Sequence, residues 1–185
     1  MPVRRFNHRF VFALGLLLGA SALAAAPAPP APSAPPAPGT PTPGAPAPTF
    51  SIRRIDGGTL ALESLRGHVV LLNFWALNCP PCRLEMPELE KLHHRYAGRG
   101  VQLIGVTEMT PADADVRRFI AAIGVTYPIL LDPGAQIGAL YGIEAHPTSV
   151  VIDARGIVRF VNSGYLRGEE KEIERAVVEA LGEAP

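Results

Sequence analysis

Phe74-Trp75-Ala76-Leu77-Asn78-Cys79-Pro80-Pro81-Cys82-Arg83 is the stretch that decides the fold, and it holds the two cysteines of the 185-residue chain. It follows an apolar, strand-like segment over 68–74 and precedes a helix-like segment over 83–97. A CxxC pair at such a junction places Cys79 at the helix entry and Cys82 on the first turn, with the sulfurs within bonding distance. The helix N-terminus then stabilises the Cys79 thiolate and lowers its pKa below the free value of roughly 8.5. The pattern therefore predicts thiol–disulfide exchange.

Two structural roles for the cysteine pair are weaker alternatives. A structural zinc site needs four ligands, usually two such pairs or a pair plus two suitably spaced histidines. The chain has no second pair, and His93 and His94 are adjacent, so they point to different sides of a helix. A purely structural disulfide across so short a loop constrains little of the unfolded chain and adds little stability.

The first 24 residues have the pattern of an export signal. Three arginines precede an apolar run over 11–20, and Ala22-Leu23-Ala24 is the small-residue pattern that signal peptidase needs. The run is short for a transmembrane helix, which takes roughly 20 residues. Extended through Ala26, the segment is just long enough to span a membrane. We therefore expect export to the periplasm, with residues 1–24 either removed or retained as a membrane anchor.

Residues 25–48 form a segment rich in proline and alanine, and eleven of the 20 prolines lie in it. Because proline fixes φ and lacks an amide donor, we expect a disordered, extended linker that forms neither a helix nor a sheet ladder. At about 3.1 Å per residue in the polyproline II form, it would reach on the order of 70 Å. It would tether a catalytic domain away from a membrane, or remain as a tail after signal cleavage.

Residues 49–185 suffice for one compact domain, and a formal net charge of zero argues against nucleic-acid binding. Hydrophobic periodicity and turn residues predict strands over 50–55, 59–62, 69–74, 101–106, 127–131, 148–152 and 157–161 and helices over 83–97, 111–123, 133–141 and 168–181. Alternating strands and helices that end in a hairpin predict an α/β fold with a mixed central sheet flanked by helices.

This domain resembles the TlpA/ResA-like thiol–disulfide oxidoreductases of the thioredoxin superfamily. The resemblance rests on four motifs in order: residues 67–76 leading into the CxxC, Glu85-Met86-Pro87-Glu88-Leu89, residues 101–106 followed by Glu108, and Tyr141-Gly142-Ile143 leading to Pro147-Thr148-Ser149. It implies a thioredoxin-like fold with an N-terminal β-hairpin over 50–62 and an inserted helix–strand element over about 111–131.

The resemblance also implies roles for individual residues. Cys79 would be the attacking thiolate and Cys82 the thiol that resolves the mixed disulfide. Pro147 would be a cis proline that presents backbone groups to an extended substrate. Glu108 would lie buried beside the cysteines and shuttle the proton of Cys82, unless it is a solvated loop or helix-capping residue. Asn73 stands where many cytosolic thioredoxins carry a buried aspartate.

Other neighbours of the pair are expected to bind substrate or to tune the thiols. His146 would donate to, or charge-stabilise, the attacking thiolate, or else be a solvated loop histidine. Trp75 would pack beside the pair and form part of the surface there, unless it is a plain core aromatic. Pro80 and Pro81 would set the reduction potential through thiolate stability.

We therefore expect an exported, monomeric protein-disulfide reductase with no cofactor beyond its own redox-active disulfide. It would take electrons from a membrane thiol donor and reduce oxidised cysteines of client proteins. The clients implied by the resemblance are apocytochromes c before haem attachment, or copper-chaperone and oxidase-assembly proteins. The dedicated cytochrome-maturation subgroup usually has Pro-Glu where this chain has Pro147-Thr148, which favours a general reductase.

Two other functions remain alternatives. One is a redoxin-type thiol peroxidase, although Ala76 and Leu77 occupy the places where those enzymes carry threonine before the reactive cysteine. The other is a copper(I)-binding delivery module that uses the dithiol as a clamp, although the chain has only three methionines.

Overall fold

The structure is a computed structural model, and it describes residue 39 and residues 41–108 and 112–182. In this part of the chain seven strands and four α-helices occur in the order β1 Ser51–Arg53, β2 Thr59–Ala61, β3 Val69–Trp75, α1 Pro80–Tyr96, β4 Val101–Glu108, α2 Asp113–Ile123, β5 Ile129–Asp132, α3 Gln136–Leu140, β6 Thr148–Ile152, β7 Val158–Ser163 and α4 Glu170–Gly182. A short 3₁₀ helix, Leu62–Leu65, follows β2.

Five of the strands form one mixed sheet in the order β5-β4-β3-β6-β7. Strands β3, β4 and β5 are parallel, as the helical crossovers α1 and α2 require. Strands β6 and β7 run antiparallel to their neighbours and close the sheet as a hairpin. Strands β1 and β2 form a separate hairpin. The α/β class, the mixed sheet and the N-terminal hairpin confirm the fold expected from the sequence.

The sheet separates two hydrophobic cores, and strand β3 belongs to both because all seven of its residues are buried. Alternate residues of a strand face opposite sides. Leu71 and Trp75 therefore face the first core, where α1, α2 and α4 pack, whereas Leu72 and Phe74 face the second core with Tyr141. Burial on both faces explains why the β3 sequence is almost continuously apolar.

Residues 41–48, which we call the strap, pack on the domain although the sequence predicted a disordered linker up to residue 48. The strap runs antiparallel to the start of β7, where Pro46 and Ile157 form a β-bridge. The Gly44 amide donates to the Val158 carbonyl at 2.8 Å, and the Val158 amide donates to the Ala45 carbonyl at 2.9 Å. The ordered domain therefore begins earlier than the predicted boundary at residue 49.

The strap can join an edge strand because proline removes a donor only at its own position. Its glycine and alanines retain their amides, and the Ala47 amide donates to the Gly156 carbonyl at 2.9 Å. Ala47 is also buried in the second core. The buried Tyr141 hydroxyl donates to the Pro48 carbonyl at 2.8 Å, so the strap is held by side-chain contacts as well as by the sheet.

Two elements differ from their predicted bounds in ways that affect the site. Helix α1 begins at Pro80 rather than at residue 83, because the first helical positions need no amide donor and the fixed φ of proline suits them. Strand β4 continues to Glu108, which places this residue in the sheet rather than in a loop.

Within residues 41–108 and 112–182, no helix is both long enough and apolar enough to cross a membrane. The predicted signal or anchor over residues 1–24 lies outside the described residues.

Candidate redox-active site

Cys79 and Cys82 form a disulfide at the N-terminus of α1, with their Cα atoms 5.3 Å apart. Cys79 is the N-cap residue, with an extended backbone, and its Sγ accepts a hydrogen bond from the Cys82 amide at 3.2 Å. Because Pro80 and Pro81 have no amide hydrogen, Cys82 supplies the first donor of the helix. The Pro-Pro insert thus directs the first free amide of α1 at the sulfur of Cys79.

The two sulfurs differ in accessibility in the order that the sequence predicted. Cys79 is 6% exposed and Cys82 is fully buried. Pro80 is exposed and Pro81 is half-buried beside them. A polypeptide can therefore approach Cys79 and the proline pair, whereas Cys82 is shielded by the protein.

Trp75 does not form part of this surface, so that prediction is wrong. It is fully buried and stacks on Phe119 of α2, with ring centroids 4.9 Å apart. The Arg83 guanidinium covers Phe119, 4.4 Å from the ring centroid. The inserted helix α2 thus caps Trp75, and this residue is a core aromatic that belongs to the same core as both cysteines.

A buried polar network lies on the α1 side of the sheet, and the sequence reasoning missed its central residue, Glu85. The Asn73 amide donates to Glu85 Oε2 at 2.7 Å and to Ser149 Oγ at 3.0 Å. The Ser149 hydroxyl donates to Glu85 Oε1 at 3.1 Å. All three residues are fully buried. Glu85 lies one helical turn after Cys82, and that spacing was the available signal because such residues share a helix face.

Burial raises the pKa of Glu85 from 4.5 to about 7, although the hydrogen bonds from Asn73 and Ser149 oppose the rise. A carboxyl group with this pKa exchanges protons near neutral pH. Burial, with a contribution from the charge of Glu85, also raises the pKa of the buried Tyr127 well above its ordinary value.

Glu108 pairs with His146 rather than with a cysteine. Its Oε2 lies 2.6 Å from His146 Nε2, and Glu108 is 4% exposed. As Glu108 shares a strand face with Val106, which belongs to the second core, it lies on the opposite side of the sheet from Glu85. The role predicted for Glu108, transfer of the Cys82 proton, is not supported by any contact that the structure describes. Glu108 instead holds the histidine that precedes Pro147.

The peptide bond between His146 and Pro147 is cis, as the resemblance implied. Pro147 is buried and His146 is half-buried. Strand β6 begins at Thr148 and pairs with the end of β3, where Phe74 is opposite Thr148. This register brings the cis-proline turn to the end of the sheet at which β3 stops and the CxxC begins. Contact of His146 and Pro147 with a substrate stays a prediction.

Gly138 in α3 makes room for the Glu108 carboxylate. Asp132 accepts hydrogen bonds from the amides of Gln136, Ile137 and Gly138, which fixes the start of α3 beside the sheet. A Cβ atom at Gly138 would overlap Glu108 Oε1. The absence of a side chain at this position therefore permits the pairing of Glu108 with His146.

Gly138→Ala is accordingly expected to lower the free energy of unfolding by about 1–2 kcal/mol, because overpacking outweighs the better helix propensity of alanine. Urea unfolding measures this change. Gly134→Ala is the matched control, because the nearest atom to its added Cβ is 3.6 Å away. Equal stability of the two variants would contradict a tight fit of Glu108 against α3.

Comparisons with known proteins agree with this arrangement. The AhpC/TSA family model matches residues 43–161, and it begins within the strap. The chain is 37% identical over 121 residues to "Thiol-disulfide oxidoreductase ResA" of Halalkalibacterium halodurans, covering 65% of this chain and 68% of the relative. It is 36% identical over 130 residues to "Thioredoxin-like protein YneN" of Bacillus subtilis, covering 70% and 76%.

A solved structure of a thiol:disulfide interchange protein of the thioredoxin family from Chlorobium tepidum matches with a TM-score of 0.66. The sequences are 34% identical, and the match covers 76% of this chain and 98% of the other. Sequence and structure thus lead to the same group of proteins.

Proposed function

We propose that this chain, which belongs to the AhpC/TSA family and to the ResA-like thiol–disulfide oxidoreductases, is an exported reductase of disulfides in client proteins. The observation that carries the proposal is the hydrogen bond from the Cys82 amide to Cys79 Sγ at 3.2 Å. After reduction, the same donor and the helix N-terminus favour the Cys79 thiolate, which is the reactive form.

In the proposed reaction the Cys79 thiolate attacks one sulfur of a client disulfide. A mixed disulfide forms, and the other client sulfur leaves as a thiolate. Cys82 then loses its proton and attacks Cys79 Sγ, which restores the enzyme disulfide and releases the second client thiolate. The client gains two electrons, and a thiol donor must return two electrons to the enzyme.

Glu85 is the residue that we propose takes the proton of Cys82. It is buried one turn after Cys82 in α1, and its pKa of about 7 allows it to accept a proton near neutral pH. Asn73 and Ser149 hold its two carboxylate oxygens. This assignment replaces Glu108, which is bonded to His146 on the other side of the sheet.

The site of action and the partners are further parts of the proposal. The signal-like pattern of residues 1–24 supports export to the periplasm, with cleavage or anchoring as the two outcomes. We propose a membrane dithiol as the electron donor, and apocytochromes c or copper and oxidase assembly proteins as clients. Thr148 after the cis proline favours a general reductase over one dedicated to cytochrome maturation.

An equilibrium redox titration followed by Trp75 fluorescence tests the direction of electron flow. Trp75 lies in the same core as both cysteines, so its emission is expected to change when the disulfide opens. We expect a midpoint below about −220 mV, which fits a reductase. A midpoint near about −120 mV would make the protein an oxidant. A Cys82→Ser variant, which cannot form the disulfide, should show no transition.

A further inference from the structure

A small groove lies beside the cis-proline turn, and the strap forms one of its walls. We call it the strap groove. Its volume is about 240 Å³, and its lining includes Pro41, Tyr141, Ile143, Thr148, Val161 and Ser163. A small-molecule site usually has about 300–1,000 Å³. The groove is therefore better matched to a single side chain than to a cofactor.

The hydroxyl groups in the walls of the strap groove are already paired. The Thr148 hydroxyl donates to the Ala145 carbonyl at 2.8 Å and lies 3.3 Å from Ser163 Oγ. The Tyr141 hydroxyl is bonded to the strap. Apart from the carboxylate of Glu144, the groove consequently offers mainly apolar contact, from proline, isoleucine and valine.

The strap groove lies at the same end of the sheet as the CxxC. Its residues Tyr141, Ile143 and Val161 pack with the second core, whereas the cysteines belong to the first core, so a client segment would have to cross the end of the sheet to contact both. Thr148, in its wall, follows Pro147 directly, and Ser163 is opposite Thr148 in the β6–β7 pairing. Both residues lie at the end of the sheet that carries the CxxC. A client segment that extends from Cys79 across the cis-proline turn towards β7 would reach this groove.

The charge at the rim limits which polypeptide fits. Glu144 lines the groove and is exposed, and it has no ion pair with any residue of the described ranges. A basic residue on the visiting chain would complement this carboxylate without competing with an internal partner.

We propose that the strap groove is a specificity subsite for client proteins, and that it takes one apolar side chain of an extended client segment next to the reacting cysteine. Glu144 then favours clients with lysine or arginine beside that apolar residue. This inference rests on the proposed function, because it defines the client segment that the reductase accepts. The strap is thus part of the binding site as well as part of the fold.

Reduction of a peptide series tests this proposal on the full chain. Each substrate is a pair of Gly/Ser-rich peptides joined by one disulfide, with a single leucine placed one to four positions from the cysteine. We expect one leucine position to raise kcat/KM roughly tenfold over the all-serine peptide, as partial burial of a leucine allows. Lysine beside that leucine should raise kcat/KM further, and glutamate should lower it.

Two variants test whether the strap groove causes the preferences for leucine and lysine. Ile143→Trp fills it, so the ratio of kcat/KM for the leucine and serine peptides should fall to near one. Glu144→Gln should remove the preference for lysine over glutamate while the leucine preference remains. The controls are Leu181→Trp and Glu63→Gln, two residues outside the groove lining; Leu181 lies beside Gly100 at the other end of the sheet.

The outcomes separate this inference from the proposed function. Reduction of every peptide at one rate, or a leucine preference that survives in Ile143→Trp, would overturn the subsite. If Ile143→Trp does not fold, an unchanged lysine preference in Glu144→Gln has the same meaning. Failure of the wild-type protein to reduce any of the peptides, or oxidised glutathione, would overturn the reductase itself.

Discussion

Cys79→Ser is expected to reduce the rate of insulin disulfide reduction at least about a thousandfold, because a hydroxyl replaces the only accessible thiolate. Cys79 is the more exposed member of the pair, and it receives the first amide donor of α1. The other cysteine of the chain, Cys82, is fully buried and therefore poorly placed to take over the attack. The measurement is the initial rate of insulin reduction with a thiol donor in excess.

Cys82→Ser is the matched control for this prediction. It keeps the attacking sulfur but cannot resolve the mixed disulfide, so a covalent adduct with the client should accumulate and be visible by mass spectrometry. If Cys79→Ser forms the adduct and Cys82→Ser does not, the two roles are reversed. Substantial insulin reduction by Cys79→Ser would remove Cys79 as the nucleophile.

Glu85→Gln is expected to raise the free energy of unfolding at pH 8 by up to about 3 kcal/mol. The pKa of Glu85 is about 7 in the folded protein against 4.5 as its ordinary value, and each pKa unit corresponds to about 1.4 kcal/mol. Because the folded state holds the proton more tightly, the stabilisation is complete below pH 4.5 and is lost as the pH rises to about 7. Glutamine stays neutral at every pH. Its side-chain oxygen can still accept the hydrogen bond from the Asn73 amide, and its side-chain amide can donate to the Ser149 hydroxyl.

Urea unfolding of the oxidised protein at pH 5, 6, 7 and 8 measures this effect. Wild-type stability should fall over this range relative to Glu85→Gln, and the two curves should converge towards pH 4.5. Glu63→Gln, at an exposed carboxylate in the 3₁₀ helix, should keep the wild-type slope. Parallel pH dependence of wild type and Glu85→Gln would mean that Glu85 is ionised in the folded protein at no such cost.

The cysteine site was predictable because its determinants are local. A strand, a CxxC and a helix follow one another in the sequence, and the helix N-terminus acts on the residue that precedes it. The four motifs of the resemblance extended this to the cis bond at Pro147. Element types were correct for the same reason, since periodicity within a segment determines them.

What the sequence did not reveal depends on contacts between distant segments. The spacing of Glu85 from Cys82 was a local signal, but its burial and its polar partners depend on Ser149, 64 positions away. The burial of Trp75 follows from Phe119 in the inserted helix. Glu108 meets His146 because it points to the second-core face of β4. That direction follows only when β4 is known to continue to residue 108, whereas the predicted strand ended at 106. Composition alone did not separate the strap from the rest of the proline-rich segment.

The direction of the strap fixes the point at which the N-terminal portion of the chain joins the domain. Moving from Ala47 back to Pro41, the backbone travels antiparallel to β7 and ends in the groove beside Thr148. The strap therefore begins at the end of the sheet that carries the cis-proline turn, on the side of the second core. Since the eight residues of the strap are held against the domain, a linker that would otherwise extend to residue 48 is shorter by about 25 Å at about 3.1 Å per residue, which reduces the reach of the domain from any anchor.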